Sequence, residues 1–227
     1  MSVEVYIVAS CKKWHSQGFD DLASVVPGNW LMAETPEELK GQLVAAKPRY
    51  IFFLHWSWIV PEEIWGQYEC VCFHMTDVPF GRGGSPLQNL IVRGFKSTKL
   101  SALRMVAELD AGPVYTKRDM VLSGSAEEIY LRASLISFEI IRWMVERNPL
   151  PTEQSGEVVT FERRKPDQSA LPNGSDLESL YDYIRMLDAE GYPNAFLQHG
   201  KFRIEFRSAE FDGEMISASV LIKPVRE

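Results

Sequence analysis

The segment Phe73-His74-Met75-Thr76-Asp77-Val78-Pro79-Phe80-Gly81-Arg82-Gly83-Gly84-Ser85-Pro86 concentrates groups that could do chemistry. A histidine titrates near neutral pH and can take up or release a proton. The glycines that follow let a ligand come close to backbone N–H groups. Ser85-Pro86 reads as a helix start, where anions and polarised carbonyls are favoured. Together these residues describe a ligand site, against the alternative of an elaborate structural turn. A further acid, Asp110, sits in Leu109-Asp110-Ala111-Gly112-Pro113. In a Gly/Pro turn an aspartate is often a turn former that hydrogen-bonds its own downstream backbone. Periodicity alone does not bring it near His74.

The elements around these residues set where they lie. Residues 3–9 are an apolar, β-branched run that opens into the polar loop Ser10-Cys11-Lys12-Lys13-Trp14-His15, as a buried strand entering a strand-to-helix turn does. Thr35-Pro36-Glu37-Glu38 is a capping box with proline at the first helical position; it predicts a helix to about Lys47, stopped by Pro48. Residues 49–54 and 70–73 are two further buried strands, separated by a short helical piece after Pro61. This order implies right-handed crossovers and a mostly parallel sheet. Such sheets bind ligands beyond the carboxyl ends of their strands, so residues 10–15, 55–57 and 74–84 should share one rim.

Residues 99–108 and 114–122 read as strands on either side of the Asp110 turn. Ser125-Ala126-Glu127-Glu128 opens a long amphipathic helix with Ile129, Ile136, Ile140, Ile141 and Met144 on its apolar side, ended by Asn148-Pro149-Leu150-Pro151. A third capping box, Ser175-Asp176-Leu177-Glu178, starts a helix carrying Leu177, Leu180, Ile184 and Leu187, and strands follow at 202–207 and 216–222. The expected organisation is a catalytic core over 1–150 and a small C-terminal α+β subdomain over 151–227.

The chain of 227 residues, 45% hydrophobic and 24% charged, has the composition of a packed globular protein. A net charge of −7 without a Lys/Arg run argues against a nucleic-acid partner. No window approaches the roughly 20 apolar residues of a membrane helix. The N-terminus enters a strand with no basic, signal-like region, so a cytoplasmic protein is expected. Cys11, Cys70 and Cys72 lack zinc spacing, and no metal is expected.

The run from His74 to Pro86 resembles the His-x-Ser/Thr-x-Leu-Pro…Arg-Gly-x-x-Pro signature of the 10-formyltetrahydrofolate-dependent formyltransferases, and residues 108–113 resemble their Leu-Asp-x-Gly signature. Residues 50–63, with Trp58-Ile59-Val60-Pro61, are similar to the strand and proline-led helix that precede the histidine in that family. Arg163-Arg164-Lys165-Pro166-Asp167 and residues 180–196 resemble the sugar N-formyltransferase branch rather than the methionyl-tRNA branch. The loop through Asn89 looks closest to enzymes that formylate the 4-amino group of a UDP-linked dideoxy sugar in pseudaminic-acid-type pathways. It is also similar to formylation domains of nonribosomal peptide synthetases. The similarity spans residues 1 to about 207.

The resemblance implies an α/β, Rossmann-like formyltransferase core, 10-formyltetrahydrofolate as donor, a nucleotide-sugar amine as acceptor and a homodimer. His74 would hydrogen-bond the oxyanion and assist proton transfer, while Asp110 would orient the imidazole or collect the amine's proton through a water. The family's asparagine two residues before the histidine is Cys72 here, a poor donor; Asn89 or a backbone N–H of the glycine loop would take its place. The pterin would lie against Phe80, Gly81, Arg82, Gly83 and Leu109, with Arg82 either a ligand contact or a solvated loop arginine. Lys12 and Lys13 are candidates for a pyrophosphate, or a solvated charge pair; Trp56 and Thr76 are acceptor-side candidates, with core packing the other reading of Trp56. Two alternatives stand beside this reading: a deformylase or a formyltransferase for another small amine, sharing His74 and Asp110, and an inactive folate or nucleotide-sugar binding protein, motivated by Cys72. Methionyl-tRNA formylation is disfavoured by the charge and by the small C-terminal appendage.

Overall fold

The structure, a computed structural model, describes residues 3–225. In chain order its elements are β1 (Val5–Ala9), α1 (Ser16–Val25), β2 (Asn29–Ala33), α2 (Pro36–Ala45), β3 (Tyr50–Phe53), α3 (Glu62–Trp65), β4 (Cys70–His74), β5 (Phe80–Gly83), α4 (Pro86–Val92), β6 (Ser97–Arg104), β7 (Val114–Val121), α5 (Ala126–Arg147), β8 (Val159–Phe161), α6 (Leu177–Arg185), β9 (Phe196–His199), β10 (Phe202–Phe211) and β11 (Ile216–Pro224). Among the described residues the strands form a six-stranded sheet, β2-β1-β3-β4-β6-β7, an antiparallel three-stranded sheet, β11-β10-β9, and the pair β5-β8. β1 runs parallel to β2 and β3, and β3 to β4, whereas β6 is antiparallel to β4. The expected α/β core with a mostly parallel sheet is what forms.

β1 and β3 are buried on both faces, which is why their sequences read as unbroken apolar runs. Ile7, Ala9, Ile51, Phe53 and Cys70 pack one face against Ala33 and Leu39. The strand pattern does not announce β2. Leu31, Met32 and Ala33 are weak strand formers, and their extended conformation follows from residue-by-residue pairing with β1. Two caps form as expected. Thr35 accepts from the Glu38 N–H at 3.2 Å, and Ser125 and Glu128 close a reciprocal box at 2.7 and 3.3 Å. The third moves by one residue: Asp176, not Ser175, caps α6, accepting from the Ser179 N–H at 2.7 Å.

The chain divides into two compact units. One comprises the chain up to Arg82, Lys99–Met120 and Leu131–Thr160; the other comprises Gly83–Thr98, Val121–Tyr130 and the chain from Phe161 onward. The second unit thus includes two segments from before residue 150. Polar contacts tie them in: Gln88 donates to the Tyr130 hydroxyl and the Met186 carbonyl, both at 3.0 Å, and Arg185 donates to the carbonyls of Leu122 and Gly124.

In the first unit, the turn between β6 and β7 doubles back against its own strand. A Cβ on Gly112 would fall 1.8 Å from the Arg104 carbonyl oxygen, so only glycine lets the chain pass there. Gly112→Ala should lower stability by about 1–3 kcal/mol through overpacking. Gly41→Ala, within α2 and with nothing near its Cβ position, should raise it by about 0.5–1 kcal/mol. Urea-unfolding midpoints moving in opposite directions would bear this out.

Candidate active site

β4 places Cys72 and His74 on the same face by its two-residue period and ends at His74. His74 is buried, and its Nε2 lies 2.7 Å from the Gly81 carbonyl oxygen. Thr76, itself fully buried, donates to that same oxygen at 3.3 Å, and its own carbonyl accepts from the Ser101 hydroxyl at 2.6 Å. Gly81 holds a left-handed φ of 78°, a conformation that suits glycine. Because a carbonyl only accepts, Nε2 carries a hydrogen. The other nitrogen, Nδ1, then faces Asp110 Oδ2 at 3.5 Å, with both side chains about nine-tenths buried. This separation exceeds an ordinary N–H···O bond. The pair is an ion pair in waiting, completed when Nδ1 takes a proton.

Asp110 adopts a left-handed φ of 54°, an unusual conformation for a residue with a side chain. Its backbone is held by a residue that no motif points to. Gln154 Nε2 donates to the Asp110 and Gly112 carbonyls, both at 2.8 Å, while Gln154 Oε1 accepts from Arg82 Nε and Nη2 at 3.1 and 2.9 Å. Arg82 Nη1 also reaches Glu108 at 3.2 Å. The Arg82 guanidinium is thus largely buried and turned toward protein partners. Burial and the neighbouring Asp110 charge push the Cys72 thiol well above its ordinary range, so it remains S–H.

The other expected site residues are distributed as follows. Phe80 is partly exposed and Leu109 largely so. Gly83 and Asn89 belong to the second unit. The Asn89 amide, expected as a substitute oxyanion donor, donates there to the carbonyls of Gly84, Ser85 and Glu162 at 3.0–3.1 Å. Its hydrogens close a loop, and no motif reveals that. Lys12 lies over the Trp14 ring at 5.0 Å and Lys13 is exposed. Trp56 packs on Phe53 and Trp58 beside the core cluster, the packing alternative of its two readings.

Next to the loop after β1, Trp14 Nε1 donates to His15 Nε2 at 3.1 Å. An indole N–H cannot accept, so His15 Nε2 is bare and its Nδ1–H donates to the Ser134 hydroxyl at 2.8 Å. Burial first, then His55 and Lys12, push His15 down to about 3; burial, then Lys12, push His55 down to about 4. Among the described residues there is no group of three or more His, Cys, Asp or Glu side chains that could hold a metal ion. No helix among them is long and apolar enough to cross a membrane.

Residues 166–223 match the family model described as methionyl-tRNA formyltransferase, C-terminal domain. The chain is similar to the structure of methionyl-tRNA formyltransferase from Clostridium thermocellum, with 45% identity and a TM-score of 0.93, covering 98% of this chain and 100% of that one. The methionyl-tRNA formyltransferase of Campylobacter curvus is 26% identical over 176 residues, 76% of this chain, and the chain spans 58% of the length of that protein. The structure of HypX from Aquifex aeolicus in complex with tetrahydrofolic acid shares the fold at 16% identity and a TM-score of 0.73, over 92% of this chain and 38% of that one. The family model and the Clostridium thermocellum and Campylobacter curvus proteins run to the branch that the C-terminal sequence reading set aside. The sugar-branch resemblance of residues 163–196 gains no support from them.

His15 gives the site region a defined pH response. Its ordinary value of 6.5 falls to about 3 on folding, so below 6.5 the unfolded chain binds a proton that the folded chain refuses. Its contribution is complete above pH 6.5 and is lost as pH falls from 6.5 toward 3, about 2 kcal/mol by pH 5. Urea melts from pH 7 to 4 should therefore show His15→Gln losing less stability on acidification than the parent chain. Parallel losses in the two proteins would contradict a neutral His15.

Proposed function

The chain belongs to the formyltransferase superfamily, and on that premise we propose that it moves a formyl group from 10-formyltetrahydrofolate to a primary amine. The observation that carries this reading is the His74–Asp110 pair, with Nε2 fixed by the Gly81 carbonyl and Nδ1 left facing the carboxylate. When a neutral amine attacks the formyl carbon, a C–N bond forms, the carbonyl oxygen becomes negative and the attacking nitrogen becomes positive. His74 Nδ1, backed by Asp110, takes the proton from that nitrogen. It returns the proton to the departing folate nitrogen as the second C–N bond breaks. With Nε2–H engaged by Gly81, the proton-relay role of His74 fits the geometry better than direct donation to the oxyanion.

The acceptor is a small primary amine in the first reading, because a net charge of −7 disfavours a polyanion. A nucleotide-linked 4-amino sugar is one member of that class, supported by the resemblance of the loop from His74 to Asn89 to sugar-modifying enzymes. The second reading, an aminoacyl-tRNA acceptor, is favoured by the match over residues 166–223 and by the naming of the similar proteins.

Incubation with 10-formyltetrahydrofolate and a panel of UDP- and dTDP-linked amino sugars, small amines and methionyl-tRNA, with mass detection of the formyl adduct, separates the readings. Formate release without any adduct would mean hydrolysis instead. His74→Ala and Asp110→Asn should each cut turnover by about 10²–10⁴ with the fold intact by circular dichroism. A His74→Ala protein of undiminished turnover would overturn the assignment.

A further inference from the structure

We infer that Gln154 is the positioning residue for Asp110, acting with Arg82 as a clamp that aims the carboxylate at His74. The inference deepens the formyl-transfer reading and rests on it for its kinetic arm only. Gln154 lies in an irregular stretch anchored on both sides. Thr152 exchanges backbone hydrogen bonds with Val114 at 2.7 and 2.9 Å, and the Val159 N–H donates to the Pro79 carbonyl at 3.2 Å. Between these anchors residues 153 and 155–158 are exposed, whereas Gln154 is partly buried.

All of its amide capacity is used. A guanidinium only donates, so the two Arg82 contacts identify the amide atom facing Arg82 as oxygen and the atom facing the turn as nitrogen. The NH2 group, with two hydrogens, then meets two carbonyls, those of Asp110 and Gly112, at the same 2.8 Å. These carbonyls flank the left-handed turn. Aspartate is one of the few residues with a side chain that enter the left-handed region as single residues, and hydrogen bonds to its own and a neighbouring carbonyl hold it in that one conformation. Gln154 supplies such a hold on the backbone of the residue whose carboxylate faces His74, and Arg82 prevents the amide from rotating out of it.

The test uses the full chain with Gln154→Glu, which keeps an acceptor for Arg82 but removes both donors, and Gln154→Met, a neutral variant of similar length in case the glutamate fails to fold. The first readout needs no substrate: the His74 imidazole titration by NMR. A nearby carboxylate favours the charged imidazole, so drift of Asp110 should move the His74 titration away from that of the unmodified chain and toward that of Asp110→Asn. In an Asp110→Asn background the same substitution should move it no further, because the effect passes through Asp110. The second readout is kinetic: kcat should fall on the order of 10- to 100-fold, the scale of an ångström-level misplacement, with KM for either substrate changed less than about twofold.

A merely structural Gln154 would lower the melting temperature while leaving the His74 midpoint and kcat where they were, and that result overturns the inference. So does an equal shift in the Asp110→Asn background. Absence of formylation by the unmodified chain would sink the formyl-transfer reading alone, since the titration arm still decides the role of Gln154.

Discussion

A peptide carbonyl accepts hydrogen bonds and cannot donate them, and at Gly81 this one-sidedness organises the site. The oxygen sits 2.7 Å from His74 Nε2 and also receives the Thr76 hydroxyl, so it fixes which imidazole nitrogen is protonated and which remains for chemistry. Its position traces back to the sheet. The antiparallel register of β4 and β6 sets His74 opposite Ser101, Ser101 holds the Thr76 carbonyl, and Thr76 in turn meets Gly81. Register, loop and tautomer are consecutive steps of one dependence. The loop's left-handed glycine at 81 is the step without which the carbonyl could not point back at the strand it came from.

The parts legible in the sequence are those with a local physical signature. Apolar runs buried on both faces gave away β1 and β3, and side-chain caps marked the starts of α2 and α5, the latter reciprocal. β2 has no such signature because its conformation is imposed by its neighbour. At α6 two adjacent residues could each cap, and it is Asp176 that accepts from the Ser179 N–H. By residue type and setting, Asp110 read first as a turn former. It is one, with a left-handed backbone, and its carboxylate also meets His74. Gln154 carries no signal at all: its four contacts are to residues 42 to 72 positions away, and an isolated glutamine in a polar loop has no period or spacing to betray them.

Three histidines near the carboxyl ends of the parallel strands illustrate how environment assigns chemistry to one residue type. His15 is sealed between an indole N–H and a serine hydroxyl, and burial keeps it neutral. His55, in a left-handed conformation just past β3, is likewise held neutral by burial and by Lys12. His74, by contrast, has the Asp110 carboxylate 3.5 Å from its Nδ1. A carboxylate beside a ring nitrogen favours the charged form of an imidazole, which is what a proton carrier requires.

In the proposed formyl transfer, the same carboxylate would compensate for a thiol standing where the family signature has an amide. Cys72 shares the His74 face of β4, and burial first, then its proximity to Asp110, disfavours a second negative charge, so it stays a weak, neutral donor. The Asn89 amide is occupied by carbonyls of its own unit. In the proposed reaction, the negative oxygen appears in the same intermediate as the proton that His74 collects. The imidazolium is then a full positive charge in a buried site, where charges are screened less than in water. A cation formed at that moment offsets the missing amide. It also ties oxyanion stabilisation to the same Nδ1 proton that Asp110 holds in place, so the orientation of one aspartate governs both halves of the step.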